Sequence, residues 1–264
     1  MRTLALLYHD VVSDNRFELS GFQSPDADIY KFGLTEFECH LESIAAAGGK
    51  PVTIFDQSPD SVRRLLLTFD DGGASALDTA DRLERHGWRG HFLVTTDFIG
   101  TPEFVSESQI RELRRRGHIV GSHSCSHPLR MSACSPEQLD REWQNSIRRL
   151  SDIVGERLTI ASIPGGYYSR EVAAAASRAG IRVLFTSEPV TQSHTVGECL
   201  VVGRFGVQQG VSREWVADVV SGSALPRWQR YVFWNSKKML KKMGGESWLE
   251  LRRRILARRA AKSQ

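Results

Sequence analysis

Cysteine is scarce in this sequence, and its few cysteines are scattered. The chain has 264 residues and four cysteines, Cys39, Cys125, Cys134 and Cys199, none of which forms a Cys-x-x-Cys pair. A fold stapled by disulfides needs more cysteines at closer spacing. We therefore expect reduced thiols in a reducing compartment.

Long apolar runs are also missing, as are internal repeats and low-complexity segments. The apolar stretch at the N-terminus reaches His9 and Asp10 within a few residues, and no later run is long enough to span a bilayer. We expect no signal peptide, and hence a soluble protein that stays in the cytoplasm. With 41% hydrophobic and 25% charged residues, the composition is globular, and the length suits one large α/β domain with or without a short appendage.

Charge is distributed unevenly along the chain. The formal net charge is +4, but residues 226–264 hold 12 Lys and Arg against two acidic residues, which leaves residues 1–225 mildly acidic. This predicts a body over 1–225 and a basic helical extension over 226–264. Within the extension, residues 247–259 place apolar side chains at helical spacing among arginines. Such a helix either lies on an anionic membrane surface or packs against the body with its basic face in solvent.

Short apolar runs alternate with longer segments of helical period throughout the body. The predicted strands are Leu4–Tyr8, Leu65–Phe69, His91–Val94, Ile119–Gly121, Thr159–Ile163, Val183–Phe185 and Leu200–Gly203. The predicted helices are Thr35–Ala47, Ala74–His86, Glu107–Arg116, Pro136–Val154, Arg170–Ala179 and Arg213–Val220, with Thr35 and Ser135 as candidate caps. The alternation predicts an α/β fold with a mainly parallel sheet, and about seven units suit a closed or partly closed barrel.

A buried strand ends in two adjacent carboxylates, Asp70 and Asp71, followed by two glycines. At the C-terminal end of a barrel strand, such side chains point into the mouth where active sites form. Neighbouring carboxylates repel each other unless a positive charge lies beside them, and a metal ion would supply one. Asp-Asp-Gly-Gly is also good turn chemistry, so the segment alone leaves both interpretations open.

A second predicted strand is followed by His123 and His127. Two histidines four residues apart can converge on one ion, and imidazole nitrogens with a carboxylate oxygen suit zinc or a similar divalent metal. A lone His-x-x-x-His is weak evidence. Combined with the aspartates at a corresponding strand end, it predicts a catalytic site, because two histidines and one carboxylate leave positions open for water and substrate.

Together these motifs resemble those of polysaccharide deacetylases of the NodB-homology type, carbohydrate esterase family 4. The resemblance rests on segments 68–72 and 123–127, with further similarity in Ala161–Tyr167 and, to exopolysaccharide-associated members, in Leu7–Asp10 and Gly33–Phe37. It spans roughly residues 1–205. It implies that the body is a catalytic, distorted (β/α) barrel of seven or eight units.

The resemblance also implies roles for individual residues. The implied metal ligands are Asp71, His123 and His127, and the implied general base is Asp70, which activates water. Backbone amides near Gly165 and Gly166 would help to hold an oxyanion. The expected reaction is metal-dependent removal of the acetyl group from an N-acetylated sugar in a glycan or glycan precursor, with zinc as the expected metal.

Two positions depart from the family pattern. The arginine that holds the base carboxylate in the family falls at Ser162 here, and a serine cannot form that ion pair. Arg204 is the candidate replacement, with a structural salt bridge at the barrel mouth as the alternative. The late histidine that protonates the leaving amine has no clear match: His194 lies in the right stretch of chain, and His9 at the end of the first strand competes with it.

Other functions remain open at this point. The same site could serve a deformylase or another amidase acting on a lipid-linked sugar, or the chain could be a catalytically idle carbohydrate-binding barrel. The complete aspartate and histidine set argues against the idle barrel. The expected partners are an N-acetylated sugar or glycan and, for residues 226–264, the anionic surface of a membrane. Nucleic acid is not expected, because the basic residues belong to no recognisable nucleic-acid fold.

Overall fold

A curled, mostly parallel sheet forms the centre of the protein in a computed structural model that describes residues 3–13, 16–57, 64–232 and 235. Its strands are β1 (Thr3–Tyr8), β4 (Arg64–Phe69), β5 (His91–Val94), β6 (Ile119–Ser122), β7 (Ile160–Ser162), β8 (Val183–Phe185), β9 (His194–Val196), β10 (Cys199–Val202) and β11 (Phe205–Gly206). The order is β11-β1-β4-β5-β6-β7-β8-β10-β9, and every pairing is parallel except that of β9 with β10. Two short strands, β2 (Val11–Val12) and β3 (Phe32–Gly33), pair separately.

Helices follow the strands and pack on one face of this sheet. They are α1 (Pro25–Asp28), α2 (Leu34–Ala46), α3 (Ala76–Arg85), α4 (Glu107–Arg115), α5 (Pro136–Val154), α6 (Arg170–Arg178) and α7 (Arg213–Ser221). A large core joins them to alternate strand residues such as Leu65 and Leu67. The residues between these, such as Leu66, form a smaller core on the concave face. The strands are therefore buried on both sides, as the near-continuous apolar runs predict.

The seven predicted strands and six predicted helices are all present, with bounds that agree within two residues. Along the described residues the sheet stays open between β11 and β9, so the barrel is a curled half-barrel. Ser135 caps α5 as predicted. The prediction for Thr35 is wrong, because α2 begins one residue earlier, at Leu34, and leaves Thr35 inside its first turn.

Two buried histidines outside the mouth have structural roles. His91 Nδ1–H donates to Leu67 O at 2.9 Å, and His91 Nε2 accepts from Ile54 N–H at 3.0 Å. That pairing requires a neutral ring, and burial lowers the pKa of His91 to about 4. His118 Nδ1 likewise accepts from Gly90 N–H at 3.0 Å, and burial lowers the pKa of His118 to about 4. His91 therefore bonds backbone through both ring nitrogens, whereas His118 accepts from backbone and donates through Nε2–H to Glu84 Oε1 at 3.0 Å.

The predicted basic extension is described only in part. Residues 224–232 are helical, whereas the amphipathic segment 247–259 lies outside the described residues. In the described part, Arg230 donates to Gly206 O and lies over the Trp215 ring, so this part contacts the body. The boundary near residue 226 and the surface that the later residues contact stay predictions. Among the described residues, no helix combines the length and the apolar character needed to cross a membrane.

Candidate metal centre and active site

The period of two along each strand carries polar side chains to the mouth of the half-barrel. Leu66 belongs to the concave core, and Thr68 and Asp70 follow it at spacings of two on the same face. The residues that extend the concave face in this way are His9 after β1, Asp70 after β4, His123 after β6, Ser162 in β7 and Arg204 after β10. Because the strands are parallel, these ends meet at one rim.

A tight turn brings Asp71 to the same point. Asp71 has φ of 76°, which is unusual for a residue with a side chain, and Gly72 follows with φ of 81°. A Cβ on Gly72 would press against Val94, and one on Gly73 would run into the carboxylate of Asp10. The segment therefore forms the turn that its composition suggests. That turn directs Asp71 towards the two histidines.

Asp71, His123 and His127 form a compact set of metal-type ligands. Asp71 Oδ1 lies 3.3 Å from His123 Nε2 and 3.6 Å from His127 Nε2, and one ligand atom from each residue falls within 4.8 Å of the others. Asp71 Oδ1 is buried and has no donor in hydrogen-bond geometry among the described residues. Such an oxygen facing two imidazole nitrogens fits a divalent cation.

The protonation states of these residues also suit a metal ion. Burial alone would raise the pKa of Asp71, but His9, His123 and His127 outweigh it and hold that pKa well below its usual range. Burial lowers the pKa of His127 to about 4. At neutral pH the site therefore offers an ionised carboxylate and a neutral imidazole, which are the forms that bind metal.

Ser162 connects His123 to Asp70. The Ser162 hydroxyl donates to Asp70 Oδ1 at 3.0 Å, and its oxygen lies 2.6 Å from His123 Nδ1. The oxygen therefore accepts from His123 Nδ1–H, which leaves Nε2 unprotonated towards Asp71. As expected, the serine forms no ion pair with Asp70, but it does donate a hydrogen bond to that carboxylate, which was not predicted from the sequence. Ser162 lies two residues after Ile160 of the concave core and therefore on the same face of β7. This spacing is the sequence signal that could have identified it.

Arg204 takes the place of the missing arginine. It is fully buried, and its Nη1 and Nη2 donate to Asp70 Oδ1 and Oδ2, each at 2.7 Å. Nη1 also donates to Thr68 Oγ1 at 3.1 Å, and Nε donates to Thr186 O at 3.0 Å. Burial would raise the pKa of Asp70, but Arg204 and His123 hold it below its usual value. The carboxylate is therefore ionised and fixed in orientation.

His9 belongs to this cluster, whereas His194 does not. The charges of Asp70 and Asp71 raise the pKa of His9, but its burial outweighs them and lowers it, and its Nδ1 has no hydrogen-bond partner among the described residues. His194 lies exposed on β9 opposite Val201 of the outer core and bonds the Tyr168 hydroxyl at 2.8 Å. Because opposite residues of an antiparallel pair share a face, His194 points away from the concave face. The prediction of His194 as a catalytic residue is therefore not supported by its position.

Gly165 and Gly166 form a turn directly after β7, at the same rim of the sheet. Both have positive φ, 62° and 71°, which glycine adopts without strain. A Cβ on Gly166 would approach Ser187 at 3.2 Å. The turn thus explains why glycine occupies both positions. Their contribution to an oxyanion site stays a prediction.

Comparison with known proteins agrees with this geometry. A family model described as polysaccharide deacetylase matches residues 57–184. The chain is 25% identical over 215 residues to YxkH of Bacillus subtilis (strain 168), a protein whose name describes it as a polysaccharide deacetylase. The alignment covers 78% of this chain and 72% of YxkH. It is 28% identical over 113 residues to the peptidoglycan-N-acetylglucosamine deacetylase PgdA of Listeria monocytogenes serotype 1/2a, with 42% of this chain but only 23% of PgdA covered.

Solved structures share the fold. IcaB from Ammonifex degensii superposes with a TM-score of 0.67 at 20% identity, covering 84% of this chain and 97% of IcaB. The Streptococcus pyogenes deacetylase PplD in complex with acetate superposes with a TM-score of 0.65 at 17% identity, covering 81% of this chain and 96% of PplD. At such identities the likeness establishes the architecture alone.

Proposed function

The chain carries a polysaccharide deacetylase domain of the NodB-homology type, and on that basis we propose that it is a metal-dependent hydrolase that removes acetyl from an N-acetylated sugar in a glycan or glycan precursor. One observation carries the proposal: a buried, arginine-paired carboxylate, Asp70, adjoins the ligand set of buried Asp71, buried His123 and half-buried His127. A barrel that only bound carbohydrate would need neither the buried base nor the ligand set. Metal-assisted hydrolysis of an amide uses both.

Asp71, His123 and His127 would hold the ion, and two imidazoles with one carboxylate suit zinc. When bound there, a divalent ion lowers the pKa of water and polarises the acetamide carbonyl. Asp70 is the group that takes the proton from the attacking water. Its Oδ1 already accepts from Arg204 and Ser162, whereas Oδ2 accepts from Arg204 alone. Oδ2 therefore has the free lone pair for that proton.

His9 is the residue that we propose protonates the leaving nitrogen. It extends β1 into the mouth, and its Nδ1 has no hydrogen-bond partner among the described residues. Burial lowers its pKa, but the charges of Asp71 and Asp70 favour the protonated ring that a general acid needs. His9→Ala should lower kcat by about 100-fold, the scale of a lost general acid, whereas the matched variant His194→Ala should keep normal activity. The reverse result would return the acid role to His194.

Location and substrate source belong to the same proposal. A cytoplasmic deacetylase whose basic residues 226–264 contact an anionic membrane surface would meet lipid-linked sugars there. Sedimentation with vesicles of neutral or anionic lipid, at low and high salt, tests this. Salt-sensitive binding to anionic vesicles that disappears when residues 226–264 are deleted supports the proposal. If the full chain does not bind anionic vesicles at low salt, the proposed membrane contact is wrong.

Product analysis tests the reaction itself. Released acetate is measured with N-acetylglucosamine oligomers, peptidoglycan fragments, nucleotide sugars and lipid-linked N-acetyl sugars, using protein loaded with zinc and protein treated with a chelator. We expect acetate from at least one substrate, lost on chelation and restored by zinc. Release of formate from N-formyl sugars but no acetate would favour the deformylase. Stoichiometric sugar binding without hydrolysis would favour the idle barrel.

A further inference from the structure

The loop between His123 and His127 lies outside regular structure and is conformationally strained. Ser124 and His127 both have positive φ, 66° and 56°, although neither is glycine. Non-glycine residues keep such angles only where the surroundings hold them. His123 is fixed at the end of β6, since its N–H donates to Val94 O at 2.8 Å. His127 depends on the loop.

Hydrogen bonds hold this loop from two sides. On one side, Ser124 O accepts from Thr96 N–H at 3.1 Å and Cys125 O accepts from Asp97 N–H at 3.0 Å. On the other side, one carboxylate accepts three bonds. Glu142 Oε2 accepts from the N–H groups of Cys125 at 2.9 Å and Ser126 at 3.0 Å, and Oε1 accepts from the Ser126 hydroxyl at 2.6 Å.

Helix α5 delivers this carboxylate in a fixed register. Glu142 and Ser146 are four residues apart on α5 and so lie on one face of the helix. Buried Ser146 bonds Ser122 at 2.6 Å between hydroxyl oxygens, and Ser122 Oγ accepts from Ser124 N–H at 3.0 Å. The same helix face therefore contacts both the strand end that carries His123 and the loop that carries His127.

We propose that Glu142 is a positioning residue for the metal centre: it clamps residues 125–126 and thereby holds His127 within reach of the ion shared with Asp71 and His123. Glu142 is not a member of the ligand set, which groups Asp71, His123 and His127 among the described residues; its carboxylate bonds the loop instead. The proposal rests on the metal-dependent function above. It assigns to α5, which contributes no ligand, control over metal affinity.

Metal affinity of the full chain tests the clamp through Glu142→Ala, with Asp140→Ala as the matched control. Asp140 is on the same helix but pairs with Arg178 on its surface. The zinc dissociation constant comes from competition with a coloured chelator, and the absorption spectrum of the Co²⁺-loaded protein reports ligand geometry. We expect Glu142→Ala to weaken zinc binding by about 10- to 100-fold and to change the Co²⁺ spectrum. Asp140→Ala should match the wild type in both.

A conservative variant separates positioning from folding. In Glu142→Gln the amide oxygen can accept from both loop N–H groups while the Ser126 hydroxyl rotates to accept from the amide nitrogen, so we expect zinc affinity within about threefold of wild type. If Glu142→Ala does not fold, Ser126→Ala removes one clamp bond and should weaken zinc binding by a smaller factor. If Glu142→Ala keeps the zinc affinity and Co²⁺ spectrum of the wild type, the proposed role of Glu142 is wrong and the proposed function still stands. The same holds for Ser126→Ala if it replaces Glu142→Ala in the measurement. Absence of zinc binding by the wild type would overturn the proposed function as well.

Discussion

Breaking the pair of Arg204 and Asp70 from one side should destabilise the protein more than removing both charges. In Arg204→Met, Asp70 keeps its charge in a position that is 4% exposed, and among the described residues the Ser162 hydroxyl is the one side-chain donor left to it. Removing one partner of a buried ion pair costs about 3–5 kcal/mol, because the other charge stays desolvated and unpaired. The double variant Asp70→Asn with Arg204→Met leaves no charge behind. It should therefore recover about 1–3 kcal/mol relative to the sum of the single changes.

Urea unfolding of the wild type, the two single variants and the double variant measures this coupling. Chelator is present throughout so that metal binding does not contribute to the free energy of unfolding. The loss in Arg204→Met should shrink as pH falls, because loss of the guanidinium raises the pKa of Asp70 and acid then neutralises the stranded carboxylate. For the same reason, the acidic limb of its pH–rate profile should move to higher pH while kcat falls.

Two results would refute this reasoning. A loss below about 1 kcal/mol in Arg204→Met would mean that solvent reaches Asp70. Single-variant losses that add to the double-variant loss within about 0.5 kcal/mol would mean that the two side chains do not act as a pair.

Three further outcomes follow from the site and the core. We expect elemental analysis to find about one zinc per chain in the wild type and none in the double variant His123→Ala with His127→Ala; normal occupancy in that variant would remove both histidines from the ligand set. Asp70→Asn should keep the metal but lower kcat by about 100-fold, and loss of the metal would instead make Asp70 a ligand. His91 should make the protein acid-sensitive: its pKa is about 4 when folded, so between the unfolded value near 6.5 and 4 only the unfolded chain takes up the proton. Over that range the free energy of unfolding should fall by about 1.4 kcal/mol per pH unit more in the wild type than in His91→Gln, and equal slopes would contradict the neutral-ring assignment.

Local patterns were enough to predict the elements and the principal site. Apolar strand runs and helical periods can be recognised within a few residues of sequence, so seven strands and the six long helices could be predicted within two residues. Strand ends in a parallel sheet meet at one rim, so Asp70, Asp71, His123 and His127 could be grouped without coordinates. The two-residue strands β2, β3 and β11 and the short edge strand β9 were not predicted, since such short segments carry little pattern of their own and form through pairing with other strands.

Tertiary structure alone decided which distant polar residues complete the site. Arg204 and Asp70 are 134 residues apart in sequence, but the curled sheet brings the end of β10 to the end of β4, so the two side chains meet. Ser162, considered from the sequence only for its lack of charge, bonds both Asp70 and His123 because all three side chains face the same concavity. His194 lies in the stretch of chain that the family pattern suggests, but on an antiparallel edge strand where its side chain leaves the outer face of the sheet. His9 follows β1 and continues the concave face of that strand. Spacing along the chain carries no information about the face on which a distant side chain emerges, because strand pairing and sheet curvature determine that face.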